Sequence, residues 1–282
     1  MLPKRLEIEF TNACNSRCGY CPRFYLIGVD AGFLEVSLFR KIVDEAASEP
    51  STVLQLHRRG ESLLHPDFDD MLRYLQGKFS GLQLATNGIL LDARKAEIIA
   101  GTLTFLSFSI DHPALFRKNR GVDCYEEVEK NILHFLDINN DRVMTQVSMV
   151  RTDTTGGNHV DEFVEIWKDR VDRVRIYEEH SSDGAFGSLK EKRKNRKPCV
   201  KPFTDMVIFY DGSVMRCNHD WNGEPMGNVN DGSIADIYGN DRYRDLRNQQ
   251  ETLCITDEPC KSCDSWYAEE GKQGTGLSYE SD

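Results

Sequence analysis

No run of apolar residues in this chain approaches the roughly 20 residues that a bilayer-spanning helix needs, and the opening MLPKRLEIEF has no apolar stretch of the signal-peptide kind. A soluble, cytoplasmic protein is therefore expected, away from membranes. Basic residues are scarce as well: 35 Lys and Arg against 46 Asp and Glu leave a net charge of −11. That balance repels a phosphate backbone rather than neutralising it, so no nucleic acid partner is expected, whereas a cationic small substrate is compatible. Internal repeats and low-complexity blocks are missing too. The 282 residues allow one large domain, or one with a small satellite. What the chain does have is cysteine, nine in all. In a reducing compartment, clustered cysteines more often bind metal or do redox work than form disulfides.

The first 180 residues alternate two textures. LEIEF, TVLQLH, LQLAT, LTFLSFSI, VMTQVSMV and VDRVRIYEE are short and rich in β-branched or aromatic residues. The segments between them, from SLFRKIVDEAASE to VDEFVEIWKD, carry apolar residues at three- and four-residue spacing. Six consecutive βα-type units, the sixth without an obvious helix, imply a parallel sheet that curls. Beyond residue 197 the texture changes. MVIFY and SVMRC flank Asp211-Gly212, a hairpin signal, and a helix-like segment follows. The run Leu189 to Lys197, LKEKRKNRK, reads as a solvated linker or as a dock for an acidic electron donor such as a flavodoxin. GKQGTGLSYESD has little to bury and reads as a mobile tail.

Cys14, Cys18 and Cys21 follow the first strand in FTNACNSRCGYCPRF. Three thiolates on one tight loop can hold three corners of a 4Fe-4S cube and leave the fourth iron open to a small molecule. Structural zinc, the rival, wants four closed ligands, and no fourth Cys or His lies close by. The C-x3-C-G-Y-C spacing resembles the signature of the radical S-adenosylmethionine (SAM) superfamily. That resemblance implies a partial (β/α)6 TIM-like barrel with its active site at the strand C-terminal ends, and SAM chelated by the open iron. One electron then splits SAM to a 5′-deoxyadenosyl radical, which takes a hydrogen atom from substrate. A flavodoxin- or ferredoxin-type reductant would supply the electron.

Cys199, Cys217, Cys260 and Cys263 form a second set, around the hairpin and after the helix. Four thiolates suit a second 4Fe-4S cluster, and zinc fits them equally on geometry. Gly212-x4-Cys217 and GNVNDGSIADIYGN resemble the twitch form of the SPASM domain, which implies one fully ligated auxiliary cluster. The expected division is a radical SAM core over 1–185, a basic linker over 186–197, the auxiliary domain over 198–268 and a flexible tail over 269–282.

HRRGESLLHP resembles the family's GGE motif, with Arg59 standing where the first Gly usually does; by that resemblance Gly60 and Glu61 bind the SAM ammonium. Thr86-Asn87-Gly88, Ser109 and Asp111 fall at strand ends and so at the catalytic rim. The resemblance makes Ser109 a candidate for the SAM carboxylate or ribose. Arg151 is a candidate for the SAM carboxylate or the substrate, and Tyr20 for packing by the adenine. Cys124 reads as a small buried hydrophobe. Cys254, outside both cluster sets, is a candidate hydrogen-atom donor. Over nearly its whole length the chain resembles the single-auxiliary-cluster enzymes of aminoglycoside biosynthesis, a 2-deoxy-scyllo-inosamine dehydrogenase and a neomycin epimerase. The resemblance implies an amino-sugar or aminocyclitol substrate attacked at a carbinol carbon. Epimerisation with Cys254 as donor is the leading reading, dehydrogenation through the auxiliary cluster the first alternative and peptide modification another.

Overall fold

The computed structural model describes residues 2–23, 30–152, 155–179, 195–221, 223–263, 266 and 276–280. Six strands follow chain order, each parallel to the last: β1 (Arg5–Ile8), β2 (Val53–Gln55), β3 (Gly81–Thr86), β4 (Phe105–Ser109), β5 (Met144–Arg151) and β6 (Arg173–Glu178). Between them run α1 (Val36–Ala46), α2 (Phe68–Leu75), α3 (Ala93–Ala100), α4 (Pro113–Arg120), α5 (Tyr125–Asn139) and α6 (Gly157–Trp167). Every expected strand is present. Helix α4 is additional: HPALFRKNR buries only Leu115 and Phe116 of its apolar side chains, too few for a clear period. Its ends are nonetheless marked, by Pro113 in the first turn and by Gly121 at φ 68°.

The parallel sheet stays open, as a partial barrel does. On the β1 side it continues into the C-terminal region through β7 (Asp205–Ile208), parallel to β1, then β8 (Ser213–Met215) and β9 (Gly227–Asn228), both antiparallel. The hairpin anticipated at Asp211-Gly212 is this β7–β8 pair, with Gly212 at φ 85°. It shares the barrel's sheet rather than standing apart from it. Short helices α7 (Lys201–Thr204) and α8 (Ile234–Tyr238) and the longer α9 (Asp241–Thr252) complete this region.

At the other edge the mobile tail expected over 269–282 needs correcting. Gly276–Glu280 form β10, antiparallel to β6 in full five-residue register. The physical reason is the bare edge: β6 would otherwise present unpaired N–H and C=O groups, and even a segment with little to bury gains backbone hydrogen bonds there. Most of the basic run, residues 189–194, lies outside the described residues, as do 186–188 of the linker and 267–275 and 281–282 at the end.

Side chains alternate between the sheet's two faces. The outer set, Leu6, Ile8, Leu54, Leu82, Leu84, Leu106, Phe108, Val147, Met149, Val174 and Ile176, is buried in one core with the helices. Phe10 meets Phe39 of α1 edge-on at 5.5 Å. The inner set is polar. Register aligns Glu7 with Gln55, Gln55 with Gln83, Ser107 with Gln146 and Ser109 with Ser148. Gln55 bonds Gln83 at 2.9 Å, Gln146 bonds Ser107 at 2.8 Å and Arg173 bonds Gln146 at 2.6 Å, so this wall is cross-linked by hydrogen bonds rather than packed with methyl groups.

Candidate active site

The cysteine loop leaves β1 and is held from three sides. On the β2 side the Glu61 N–H donates to the Ala13 carbonyl at 2.7 Å. Gly60 lies so close that a Cβ there would stand 2.2 Å from the Thr11 carbonyl oxygen and 2.4 Å from that of Ala13. Only glycine allows this approach of two backbones. Gly60→Ala is therefore expected to displace the loop and strip the iron from the first cysteine set while the second keeps its own. Iron analysis after anaerobic reconstitution reads this, and an unchanged iron content would contradict it. On the β3 side Asn87 Nδ2 donates to Asn15 Oδ1 at 2.6 Å and Ser16 Oγ at 3.2 Å, and reaches Cys14 Sγ at 3.9 Å. From α4, the Arg120 and Asn119 carbonyls accept from the N–H groups of Arg17 and Gly19 at 2.8 and 3.0 Å.

Cys14, Cys18 and Cys21 lie within electrostatic reach of one another. Burial pushes the Cys14 thiol up to about 12 and raises Cys21 as well. Coordinated iron reverses that balance, because a metal-bound thiol is deprotonated outright. The Ser16 N–H, 3.4 Å from Cys14 Sγ, and Asn87 Nδ2 both supply donors to a thiolate. This donor set fits a 4Fe-4S cluster held at three corners.

Glu61 is buried, and its carboxylate faces the protein. Oε1 accepts from the Thr86 hydroxyl at 2.8 Å and from the Leu63 N–H at 3.2 Å; Oε2 accepts from the Asn87 N–H at 2.8 Å. Burial raises its pKa, and these bonds offset only part of the rise. A carboxylate has about four acceptor positions, so one on Oε2 is left. Tyr20 donates its hydroxyl to Asp111 Oδ2 at 3.0 Å, and Arg120 Nε meets the same oxygen at 2.6 Å. The other Asp111 oxygen accepts from the Val150 N–H at 3.2 Å. Asp111 is fully buried and binds the cysteine loop to β4, β5 and α4. Ser109 is half-buried on the inner face, opposite Ser148.

Arg151 does not join this group. Alternation puts it on the face of Val147 and Met149, opposite to Ser148, and its guanidinium pairs with Glu178, its register partner on β6. The period of two decides the matter, since a residue at the end of a strand reaches the rim only from the correct face.

Two residues were not singled out in the sequence. Glu9 is fully buried and takes Arg59 in a two-pronged pair, with Nε to Oε2 and Nη2 to Oε1 both at 2.7 Å. The Arg59 backbone N–H also donates to Glu9 Oε2, its guanidinium lies 3.3 Å over the Phe209 ring, and Nη1 donates to the Trp221 carbonyl. The arginine in the glycine's place thus ties β2 to β1 and to the hairpin region. His57, two residues beyond Gln55 on the inner face, accepts from the Ala85 N–H through Nδ1 at 3.1 Å. Burial holds its pKa down at about 4, so at neutral pH the ring is uncharged and Nε2 carries the proton. Period-two reading of LEIEF and TVLQLH, with attention to the polar positions, is the signal that finds Glu9 and His57.

Cys199, Cys217, Cys260 and Cys263 converge on one cavity, which Trp266, Leu246 and Gln250 also line. Gln250 Oε1 accepts from the Cys199 N–H, while Gln250 Nε2 is buried without a hydrogen-bond partner among the described residues. An unpartnered amide donor on the wall of this cavity suits a thiolate centre whose sulfurs accept hydrogen bonds. Cys124, expected to be buried, is only half-buried at the start of α5, where it packs against the main core from outside. Cys254 is exposed, two residues past α9, and is not among the residues lining the cavity.

Each cysteine set lies within a stretch that matches a known family. Residues 8–166 match the Radical SAM superfamily, and residues 199–264 match the SPASM iron-sulfur cluster-binding domain. The S-adenosyl-L-methionine-dependent 2-deoxy-scyllo-inosamine dehydrogenase of Niallia circulans is 22% identical over 270 residues, covering 92% of each chain. The AdoMet-dependent heme synthase of Methanosarcina barkeri is 37% identical over 112 residues, 39% of this chain and 31% of that protein. Among solved structures, BtrN in complex with AdoMet and 2-DOIA superposes with a TM-score of 0.68 at 18% identity, covering 98% of this chain and 99% of that one. Streptococcus suis SuiB bound to S-adenosylmethionine superposes with a TM-score of 0.72 at 16% identity, covering 94% of this chain and 72% of that one. With more than half its length matched, the chain belongs to the radical SAM superfamily and uses SAM with a 4Fe-4S cluster, joined to an auxiliary iron-sulfur domain of the SPASM kind.

Proposed function

We propose that this enzyme oxidises a secondary alcohol carbon of a small amino-bearing cyclitol or sugar to the ketone. The observation that carries the reading is the closed second cysteine site. With four thiols on one cavity no iron is left to hold a substrate, so what that site exchanges is an electron. The full-length likeness to a dehydrogenase supports the same direction. When bound, SAM with the catalytic cluster held by Cys14, Cys18 and Cys21 would supply hydrogen-atom abstraction, and the auxiliary cluster held by Cys199, Cys217, Cys260 and Cys263 would supply acceptance of the one remaining electron, the proton going to water.

The chain's own residues bind and orient. Cys14, Cys18 and Cys21 hold the catalytic cluster. Gly60 and the free acceptor position on Glu61 receive the SAM ammonium, Ser109 its carboxylate or ribose, and Tyr20 packs by its adenine. The polar inner wall accommodates a polyhydroxylated substrate, to which His57 Nε2–H offers a hydrogen bond and from which the Ser148 hydroxyl oxygen accepts one. A one-electron donor of the flavodoxin or ferredoxin type is the partner this chemistry requires.

Epimerisation with Cys254 as hydrogen donor is the second reading, favoured by one thiol outside both cluster sets. Its exposure is what places it second, because a donor to an enclosed radical has to line the enclosure. Product analysis after anaerobic turnover in deuterated water separates the two. Ketone without solvent deuterium is expected, and Cys254→Ala should keep undiminished turnover. An inverted product carrying one deuterium, lost in Cys254→Ala, would establish the epimerase instead.

A further inference from the structure

The auxiliary cysteine cavity is lined by three cationic side chains, Arg196, Lys201 and Arg216. They are not equivalent. Arg196 spends its Nη2 on the Cys260 carbonyl at 2.7 Å, and Lys201 reaches Asp205 at 3.4 Å. Arg216, only 12% exposed in its side chain, lines the cavity beside Cys260. It is held there from behind: its Nε lies 2.7 Å from Asp220 Oδ2, and Asp220 is 1% exposed. Asp220 is fixed in turn by the Gly223 N–H at 2.9 Å on its other oxygen. A Cβ on Gly223 would stand 2.5 Å from that oxygen, so the loop is shaped around the carboxylate.

We propose that Arg216 sets the reduction potential of the auxiliary site, acting as a positioning residue through the Cys260 sulfur. The cluster ligated by Cys199, Cys217, Cys260 and Cys263 gains negative charge when it is reduced. A guanidinium beside the thiolate sulfurs stabilises the reduced form and raises the potential, as outer-shell donors do at metal–thiolate centres. Asp220 opposes this electrostatically but fixes the guanidinium in place, so the pair trades some potential for geometry. Its purpose, taking an electron from a substrate-derived radical, rests on the oxidative reading above; the effect on potential does not.

The test is a redox titration of the anaerobically reconstituted full chain without substrate, followed by electron paramagnetic resonance, with the catalytic cluster as internal reference. Arg216→Gln is expected to lower the auxiliary midpoint by about a tenfold change in its one-electron equilibrium constant, about 59 mV. Arg216→Lys, which keeps the charge without the planar fork, should fall between that variant and wild type. An unchanged midpoint in Arg216→Gln at full iron content overturns the proposal. If Arg216→Gln does not retain the second cluster, Arg216→Lys decides: its midpoint should fall below that of wild type, and a midpoint that stays or rises overturns the assignment. A wild-type epimer product would refute the oxidative reading and leave these shifts standing.

Discussion

Replacing Cys14, Cys18 or Cys21 by Ala is expected to abolish SAM cleavage outright. Two thiolates cannot hold the cube with one iron open, and a cluster that is lost or rearranged presents no site to the SAM amino and carboxylate groups. The auxiliary site is built on other elements, from Cys199 ahead of α7 to Cys263 beyond α9. Iron should therefore fall only by half, from about eight per chain to about four, and the remaining signal should belong to the auxiliary cluster. Chromatography of 5′-deoxyadenosine under strong reductant measures the first effect, and iron analysis with Mössbauer spectroscopy the second. Retained 5′-deoxyadenosine production in all three variants would remove the catalytic role from this loop. The mirror experiment, Cys199→Ala with Cys217→Ala, should remove the other half of the iron.

Arg59→Gly, the change that restores the glycine usual in this motif, is expected to destabilise the protein rather than improve it. Glu9 is fully buried, and Arg59 is 8% exposed in its side chain. Without the guanidinium a buried carboxylate is left with backbone donors alone, the 3.2 Å bond from residue 59 and a long 3.5 Å contact from the Tyr210 N–H. Removing one partner of such a pair costs about 3–5 kcal/mol, because the charge that remains is uncompensated. Loss of the guanidinium's contacts with the Phe209 ring and the Trp221 carbonyl adds to this. Urea denaturation should show the midpoint falling. Adding Glu9→Gln to Arg59→Gly should recover part of the loss, since a neutral amide is cheaper to bury alone. A single variant as stable as wild type would mean that water reaches Glu9.

Much of this protein was legible in one dimension because the determinants are local. Six strands could be read from runs such as LTFLSFSI, and the hairpin from Asp211-Gly212, because side-chain period and turn chemistry act between neighbours. The three-cysteine loop and its position after β1 are local too, and so is the C-x2-C pair at Cys260 and Cys263. Helix α4 escaped because two buried apolar residues make no period, and β10 because a chain end with little to bury gains order from an edge it does not encode.

What only the tertiary structure decided are pairings between residues far apart in the chain. Arg151 sits at the expected end of the expected strand, yet the pleat gives its guanidinium to Glu178. Glu61 carries the expected motif, yet most of its acceptor capacity is used by Thr86, Asn87 and Leu63. Arg59 departs from the motif, and Glu9, some fifty residues earlier, supplies the reason. Cysteine type and spacing determined which metal chemistry the chain performs, because thiolate ligation needs only the right atoms within reach. The neighbours that bury, aim and charge those thiols come from β3, α4 and the hairpin region, and packing alone brought them together.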